Sequence, residues 1–350
     1  MTRLSPPLRT DTAERPAGLE VLLRRVEDRL RSFLVEQTTY WDALDGRAAV
    51  PVRAVADLID AGGKRLRPRL CLTGYLAAGG EPAELPVQAA AALELLHASA
   101  LIHDDVMDEA DERRARATVH ARYRRLHRAR GWQGDAGRYG ESVAILAGDL
   151  AWVYADHFMA DLPDWAKDEW FELRTELVVG QMLDLAAAAE LDPDPDLVRD
   201  IAALKSGRYT ILRPLLLGAA LAGRKDLVEP FWAYGTALGE AFQLRDDLID
   251  AFGDRSASGK PSGQDTANGK MTLLLAVAMR QDERLRAPAQ HGNTAELRAR
   301  LAATSARAAV ETRIDDLVEQ ALAALTAADV NEVWRRELAR CARAVAYREV

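Results

Sequence analysis

Asp104, Asp105 and Asp108 form one DDxxD box, and Asp246, Asp247 and Asp250 form a second 142 residues further on. Each follows an apolar, helix-compatible run, residues 93–102 before the first and 236–244 before the second. On a helix, residues four apart lie about 40° apart around the axis and ~6 Å along it. Asp104 and Asp108 therefore share a face, as do Asp246 and Asp250. Carboxylates so placed repel one another unless a cation lies between them. Two such boxes facing each other would make a cage of hard oxygen ligands suited to Mg2+, an ion that keeps several waters and completes its shell with substrate phosphate. One box alone reads as a solvated acidic helix end. Two boxes, each continuing an apolar run and each followed by basic residues, read as a site.

The basic residues fall into three groups. Gly62-Gly63-Lys64-Arg65-Leu66-Arg67-Pro68 joins two predicted helices with two glycines and three cations. Glycine lets the backbone approach a ligand closely; lysine offers a mobile point charge and arginine a fork that fits phosphate oxygens. Taken alone, such a loop is ordinary solvated surface. Arg113 and Arg114 follow the first box, and Lys260 and Lys270, each preceded by a glycine, follow the second. Cations beside acidic metal sites make sense if a diphosphate bridges the two, with metals on one side and Lys or Arg on the other. Plain surface salt bridges contribute little and leave the two Gly-Lys loops unexplained.

The elements that must position these groups are almost all helical. The 350 residues are 49% hydrophobic and 29% charged, with few aromatics, a helical and globular balance with ample chain for a core. Apolar residues at three- and four-residue spacing predict a helix over 19–38, and further helices are expected at 52–60, 68–78 and 86–108. The last of these is apolar on most sides and should be central. Next come 120–130, a Gly-rich loop from 131 to 140, and helices at 142–160, 165–189, 195–207, 211–222, 229–250 and 272–279. Three amphipathic segments follow between 295 and 347. No run alternates strictly enough to demand a sheet.

The expectation is one all-α domain over 19–350, preceded by a disordered lead-in at 1–18 that has no signal-peptide core. No apolar stretch approaches the ~20 residues of a membrane span, the nearest being 215–222. A net charge of −8 provides no overall field for nucleic acid. Cys71 and Cys341, far apart and without CxxC spacing, read as buried thiols of a reducing, cytoplasmic compartment.

Together these motifs resemble the trans-prenyl diphosphate synthases, the polyprenyl synthetase family. The resemblance runs through residues 62–68, 94–120, 242–254 and 259–272, and spaced motifs in this order are far more specific than one DDxxD. It implies an isoprenoid synthase helical bundle around a central cavity, geranylgeranyl diphosphate synthase-like, commonly paired as a homodimer. Its implied chemistry is Mg2+-dependent, with roughly two or three ions: an allylic diphosphate (dimethylallyl, geranyl or farnesyl) ionises, and its cation alkylates isopentenyl diphosphate. By the same resemblance Asp104, Asp108 and Asp246 are the principal magnesium ligands, supported by Asp105, Asp247 and Asp250. Arg113, Lys205, Ser206, Gln243, Lys260 and Lys270 look like the allylic diphosphate contacts. Lys64, Arg67, His97 and Arg114 look like the isopentenyl diphosphate pocket. Without the family position, His97 would read as a core histidine. The family's usual Gly-x-Pro-Thr after the two arginines is here Ala115-Arg116-Ala117-Thr118, a change that removes no ligand and is expected to extend the helix and alter a flap.

A growing tail should run back along the central helix from Asp104, one ~5.4 Å turn being close to one isoprene unit. Ala100 and Ser99, one turn back, are small; a bulky aromatic there would stop the tail early. Leu96 and Leu93 lie deeper. Trp152 and Tyr154 could cap the tunnel, or equally could be ordinary core. Small residues at 99 and 100 favour geranylgeranyl diphosphate, with a longer polyprenyl chain as the alternative. A terpene cyclase ranks low because the second aspartate box is complete. A non-catalytic subunit of a heteromeric synthase ranks low because neither box is lost. A phosphohydrolase centred on His103-Asp104 lacks spaced histidine ligands.

Overall fold

The computed structural model describes residues 16–113, 116–190, 194–253, 271–290 and 293–348. The fold is all-α, built on two long central helices. The first, α4 (Glu84–Met107), follows α1 (Ala17–Leu44), α2 (Val50–Asp60) and α3 (Leu66–Ala77). Its Ala- and Leu-rich body has hardly a polar side to give to water, and it packs most extensively against α6 (Ala136–Met159). Between them lie a short antiparallel ribbon, β1 (Glu112–Arg113) and β2 (Arg116–Ala117), and α5 (Val119–Arg130). The chain continues through α7 (Asp164–Glu190), α8 (Pro195–Ala202), a π-helix (Ala203–Leu212) and α9 (Arg213–Leu221). The second central helix, α10 (Val228–Phe252), packs on that π-helix and on α14 (Ala306–Ala327). The remaining helices are α11 (Leu273–Gln281), α12 (Arg286–Gln290), α13 (Thr294–Ala302) and α15 (Glu332–Ala346).

Two apolar cores flank the molecule's middle. One gathers α1, α2, α4, α6 and α7; the other gathers α10, α11, α14 and α15. The elements between them feed both: Leu70 and Ile211 face one core, Leu72, Tyr209 and Leu217 the other. Burial pushes the thiols of Cys71 and Cys341 up to about 12, so both stay protonated and inert.

Four expectations change. The loop expected at 131–140 is short, because α6 starts at Ala136. Gly140 is a packing glycine rather than a loop residue: a Cβ there would collide with the His120 carbonyl on α5. The break expected between 207 and 211 is instead the π-helix, so the chain is helical from Pro195 to Leu221. The stretch after the first box does not extend α4 but turns into the β ribbon, with Arg113 opposite Arg116. Finally, α4 rather than 215–222 has the length and apolarity of a membrane span, yet its most apolar window is 72% buried within the protein, as a core helix should be. Of the lead-in expected at 1–18, residues 1–15 lie outside the described ones, and α1 already begins at Ala17.

Candidate active site

The first aspartate box occupies the last turn of α4, with Asp108 as its C-cap and its N–H bonded to the Asp104 carbonyl at 2.8 Å. The half-buried side of this helix runs His97, Ala100, Leu101, Asp104, Asp108, while Leu96, Ser99 and Ile102 face the core. One stripe of α4 thus carries a histidine, two apolar side chains and two carboxylates in that order.

Cations already stand on this box. Arg113, delivered by β1, places Nε 2.8 Å from Asp105 Oδ1 and Nη2 3.5 Å from Asp104 Oδ2. Lys205 Nζ lies 3.3 Å from Asp104 Oδ1 and 2.6 Å from Asp184 Oδ2 on α7. Asp184 escaped the sequence reading, although a lone acid in the apolar stretch 178–185 was a usable signal. Lys205 and Ser206 sit in the π-helix, a local underwinding that often accompanies function. Its placement rests on α7, where a Cβ on Gly180 would lie 2.5 Å from the Lys205 main-chain nitrogen. One turn away on α7, Glu176 accepts Arg208 Nη1 at 2.8 Å and both Nε and Nη2 of Arg213 at 2.8 Å. Burial alone would raise the Glu176 pKa; Arg213 and Arg208 outweigh it and hold the carboxyl below its usual value.

The stretch from Gly62 to Pro68 gives its two arginines different tasks. Arg65 adopts a left-handed backbone (φ 48°) and turns inward, its Nη1 2.6 Å from the buried Glu94 on α4 and its Nη2 donating to the Ile59 carbonyl at 2.9 Å. Arg67 lies in the first turn of α3, which no side chain caps among the described residues. The free N–H groups and dipole of that helix start favour an anion. Arg67 stacks 4.3 Å over the Tyr209 ring and donates to Thr210 Oγ1 at 2.8 Å, while its buried Nε has no hydrogen-bond partner among the described residues. Tyr209 Oη is 3.2 Å from His97 Nδ1. Burial pushes the Tyr209 phenol up to about 12, against the opposing charge of Arg67, so it remains a neutral hydroxyl. Arg67 and His97 are thereby brought together by a tyrosine that sequence reasoning missed, four residues after Lys205.

The second box lies near the end of α10. Asp247 is buried and accepts Gln243 Nε2 at 2.8 Å, and Asp246 is paired with Arg348 at 2.9 Å. Gln243 therefore meets a carboxylate here. Asp250 is half-buried one turn on, and Lys64 is exposed on its loop. Arg114, Lys260 and Lys270 lie outside the described residues. Of the tunnel candidates, Leu96 and Ser99 are wholly buried, and the Ser99 hydroxyl has no partner among the described residues. Tyr154 is core, edge-on to Phe33 at 4.9 Å, and Trp152 is half-buried under Arg174 at 5.8 Å.

These donors suit a hard divalent cation: carboxylates only, on helix ends, with Arg113, Lys205 and Arg348 standing as cations on them. Among the described residues no three of them are gathered as a ready-made metal cluster.

An all-helical bundle with two aspartate boxes and surrounding cations defines an enzyme that handles diphosphate groups, and comparison with known proteins agrees. The model of the family described as polyprenyl synthetase matches residues 51–306, and the chain belongs to that family: it is a trans-prenyltransferase of isoprenoid biosynthesis. It is 30% identical over 294 residues to the all-trans-nonaprenyl-diphosphate synthase (geranyl-diphosphate specific) of Rhodobacter capsulatus, covering 81% of this chain and 85% of that one. Over 258 residues it is 34% identical to the farnesyl diphosphate synthase of Geobacillus stearothermophilus, 68% of this chain and 79% of that one. Its fold matches geranylgeranyl pyrophosphate synthase from Corynebacterium glutamicum, solved with isoprenyl diphosphate and magnesium, with TM-score 0.88 and 36% identity over 95% of this chain and 99% of that one.

Proposed function

We propose that this chain condenses an allylic diphosphate, dimethylallyl, geranyl or farnesyl, with isopentenyl diphosphate and that its main product is geranylgeranyl diphosphate. The carrying observation is the pairing of two anion-ready groups across α4. Arg113 and Lys205 stand on the first aspartate box, and Arg67 and His97 are joined through Tyr209 two turns back. In the reaction the allylic carbon–oxygen bond breaks, and its electron pair leaves with inorganic diphosphate. The isopentenyl double bond attacks the allylic cation, a new carbon–carbon bond forms, and one proton is lost from the adjacent carbon.

Bound magnesium, for which Asp104, Asp108 and Asp246 are the leading ligands with Asp105, Asp247 and Asp250 in support, would neutralise charge on the leaving diphosphate. Lys205 and Arg113, with Ser206 and Gln243 added by family position, hold that diphosphate and stabilise its developing charge. Arg114, Lys260 and Lys270 belong to the same reading by family position. Lys64, Arg67 and the uncapped start of α3 hold isopentenyl diphosphate, and the buried, unpartnered Nε of Arg67 is a donor awaiting an oxygen. His97 supports this pocket through Tyr209. The apolar stripe above Asp104, beginning with Ala100, takes the tail and keeps water from the cation.

The small residues Ser99 and Ala100 favour a geranylgeranyl over a farnesyl product, with Leu96 and Trp152 as deeper limits. The nonaprenyl relative keeps a longer chain as the second reading. A homodimer is supported by an outward apolar face on α6 and α7, where Leu146, Val153, Phe171, Val178 and Met182 are each more than half exposed. Sedimentation should return about twice the 38.4 kDa chain mass, and a monomer would refute the pairing. The unpaired thiols fit the cytoplasm.

Incubation of the purified chain with Mg2+, isopentenyl diphosphate and each primer, followed by chromatography, tests the activity. Linear prenyl diphosphates are expected, and they should vanish in Asp104→Ala and Asp246→Ala. A cyclic hydrocarbon, or no turnover by the chain alone, would overturn the reading.

A further inference from the structure

Arg348, just beyond α15, turns back onto α10 and meets the second aspartate box. Its Nη1 is 2.9 Å from Asp246 Oδ1, its Nη2 donates to the Phe242 carbonyl at 3.2 Å and its Nε to the Val345 carbonyl at 3.0 Å. The guanidinium also stacks 4.5 Å from the centroid of the Phe242 ring. The main chain beside it is pinned separately: the buried Arg245 on α10 donates to the Ala346 carbonyl at 2.6 Å, and Tyr347 Oη donates to Asp315 at 2.9 Å. Nothing in the proposed reaction uses this arginine, yet it holds a carboxylate assigned there to magnesium.

We propose that Arg348 is the resident counter-cation of the second aspartate box, holding Asp246 until an arriving magnesium–diphosphate complex displaces it. This inference rests on the function proposed above. An oxygen that ligates Mg2+ at about 2.1 Å cannot keep a guanidinium on the same lone pairs without bringing two cations together. Asp246 is 41% exposed against 18% for Arg348, so the carboxylate is reachable while its partner is held from behind. The exchange is local. With Ala346 and Tyr347 anchored, the guanidinium swings about Phe242, and its freed N–H groups stay beside the incoming phosphate oxygens. Arg348 thereby adds a positive charge beside the second aspartate box, and it sets a threshold that metal must exceed.

The test uses the full chain with Mg2+ and inorganic diphosphate as probes, read by calorimetry. In Arg348→Gln the Mg2+ concentration needed for half-maximal diphosphate binding should fall about two- to fivefold, the value of a partly exposed ion pair. Arg348→Lys, which keeps the charge, should stay close to the parent. An unchanged or increased Mg2+ requirement in Arg348→Gln overturns the exchange. Asp246→Asn, run in parallel, separates the two ideas: it should abolish Mg2+-dependent diphosphate binding. Undiminished binding there would instead defeat the assignment of Asp246 as a metal ligand, and the exchange with it.

Discussion

The ammonium of Lys205 stands 3.3 Å from the carboxylate of Asp104, a residue 101 positions earlier in the chain. Its other partner, Asp184 at 2.6 Å, belongs to the helix that also sets the Lys205 main chain in place through Gly180. Side chain and backbone of the lysine are therefore located by the same element. An ammonium fixed in this way is preorganised toward the box, and preorganisation makes a cation effective at a leaving group.

Two substitutions separate the charge from its placement. Lys205→Gln should lower kcat by about 10²-fold, as loss of one aimed donor does. Gly180→Ala keeps the ammonium but drives a methyl into the Lys205 nitrogen, and should cost roughly ten- to a hundredfold in kcat by misplacement. Steady-state kinetics should leave the KM for isopentenyl diphosphate nearly unchanged in both. Full kcat in Gly180→Ala would show that the backbone contact has no bearing on the lysine.

Product length should respond to the stripe above Asp104. Ala100 is half-buried on the side of His97 and Asp104, whereas Ser99 is enclosed. Ala100→Phe should shorten the product with little loss of stability. Ser99→Phe should shorten it as well, but must overpack the core at a cost of about 1–3 kcal/mol. Chromatography of dephosphorylated products, with thermal melts alongside, checks both. Unchanged length in both variants would mean that the tail follows another face.

Acid should loosen the π-helix. The Glu176 carboxyl, depressed in the folded state below its ordinary 4.5 by Arg213 and Arg208, stabilises the protein fully above that ordinary value. This contribution is lost as pH falls through the lower folded-state value. Glu176→Gln takes a counter-charge from the buried Arg213, which keeps Glu169, and from the half-buried Arg208, and should cost about 1–3 kcal/mol at neutral pH. Urea unfolding at pH 7 and at stepwise lower pH should show the gap between parent and variant closing as acid is added. A constant gap would contradict the pairing.

Much of this was legible in the chain. The helices carry strong 3.6-residue patterns or long Ala/Leu runs, so α2 to α4 fall within two residues of expectation, while α1 runs on to Leu44, past the expected end at 38. The carboxylates and cations of the site announced themselves by type and spacing. What stayed hidden depends on partners far away in sequence. The π-helix has no periodicity of its own to betray it; its register follows from packing against α7 and α10. Gly140 reads as a loop residue until α5 lies against it. Tyr209 and Asp184 become part of the site only when the π-helix crosses α4 and α7. Arg348 carries no local signal at all.

Where the π-helix crosses α10, Gly207 and Gly239 lie main chain to main chain: a Cβ on either would come within 3.0 Å of the other. A junction without side chains has nothing soft to deform. A shift of the π-helix that carries Lys205 therefore presses directly on the main chain of α10, the helix of the second aspartate box. The two halves of the candidate site therefore share one close-packed backbone seam, and neither can be repositioned without the other giving way.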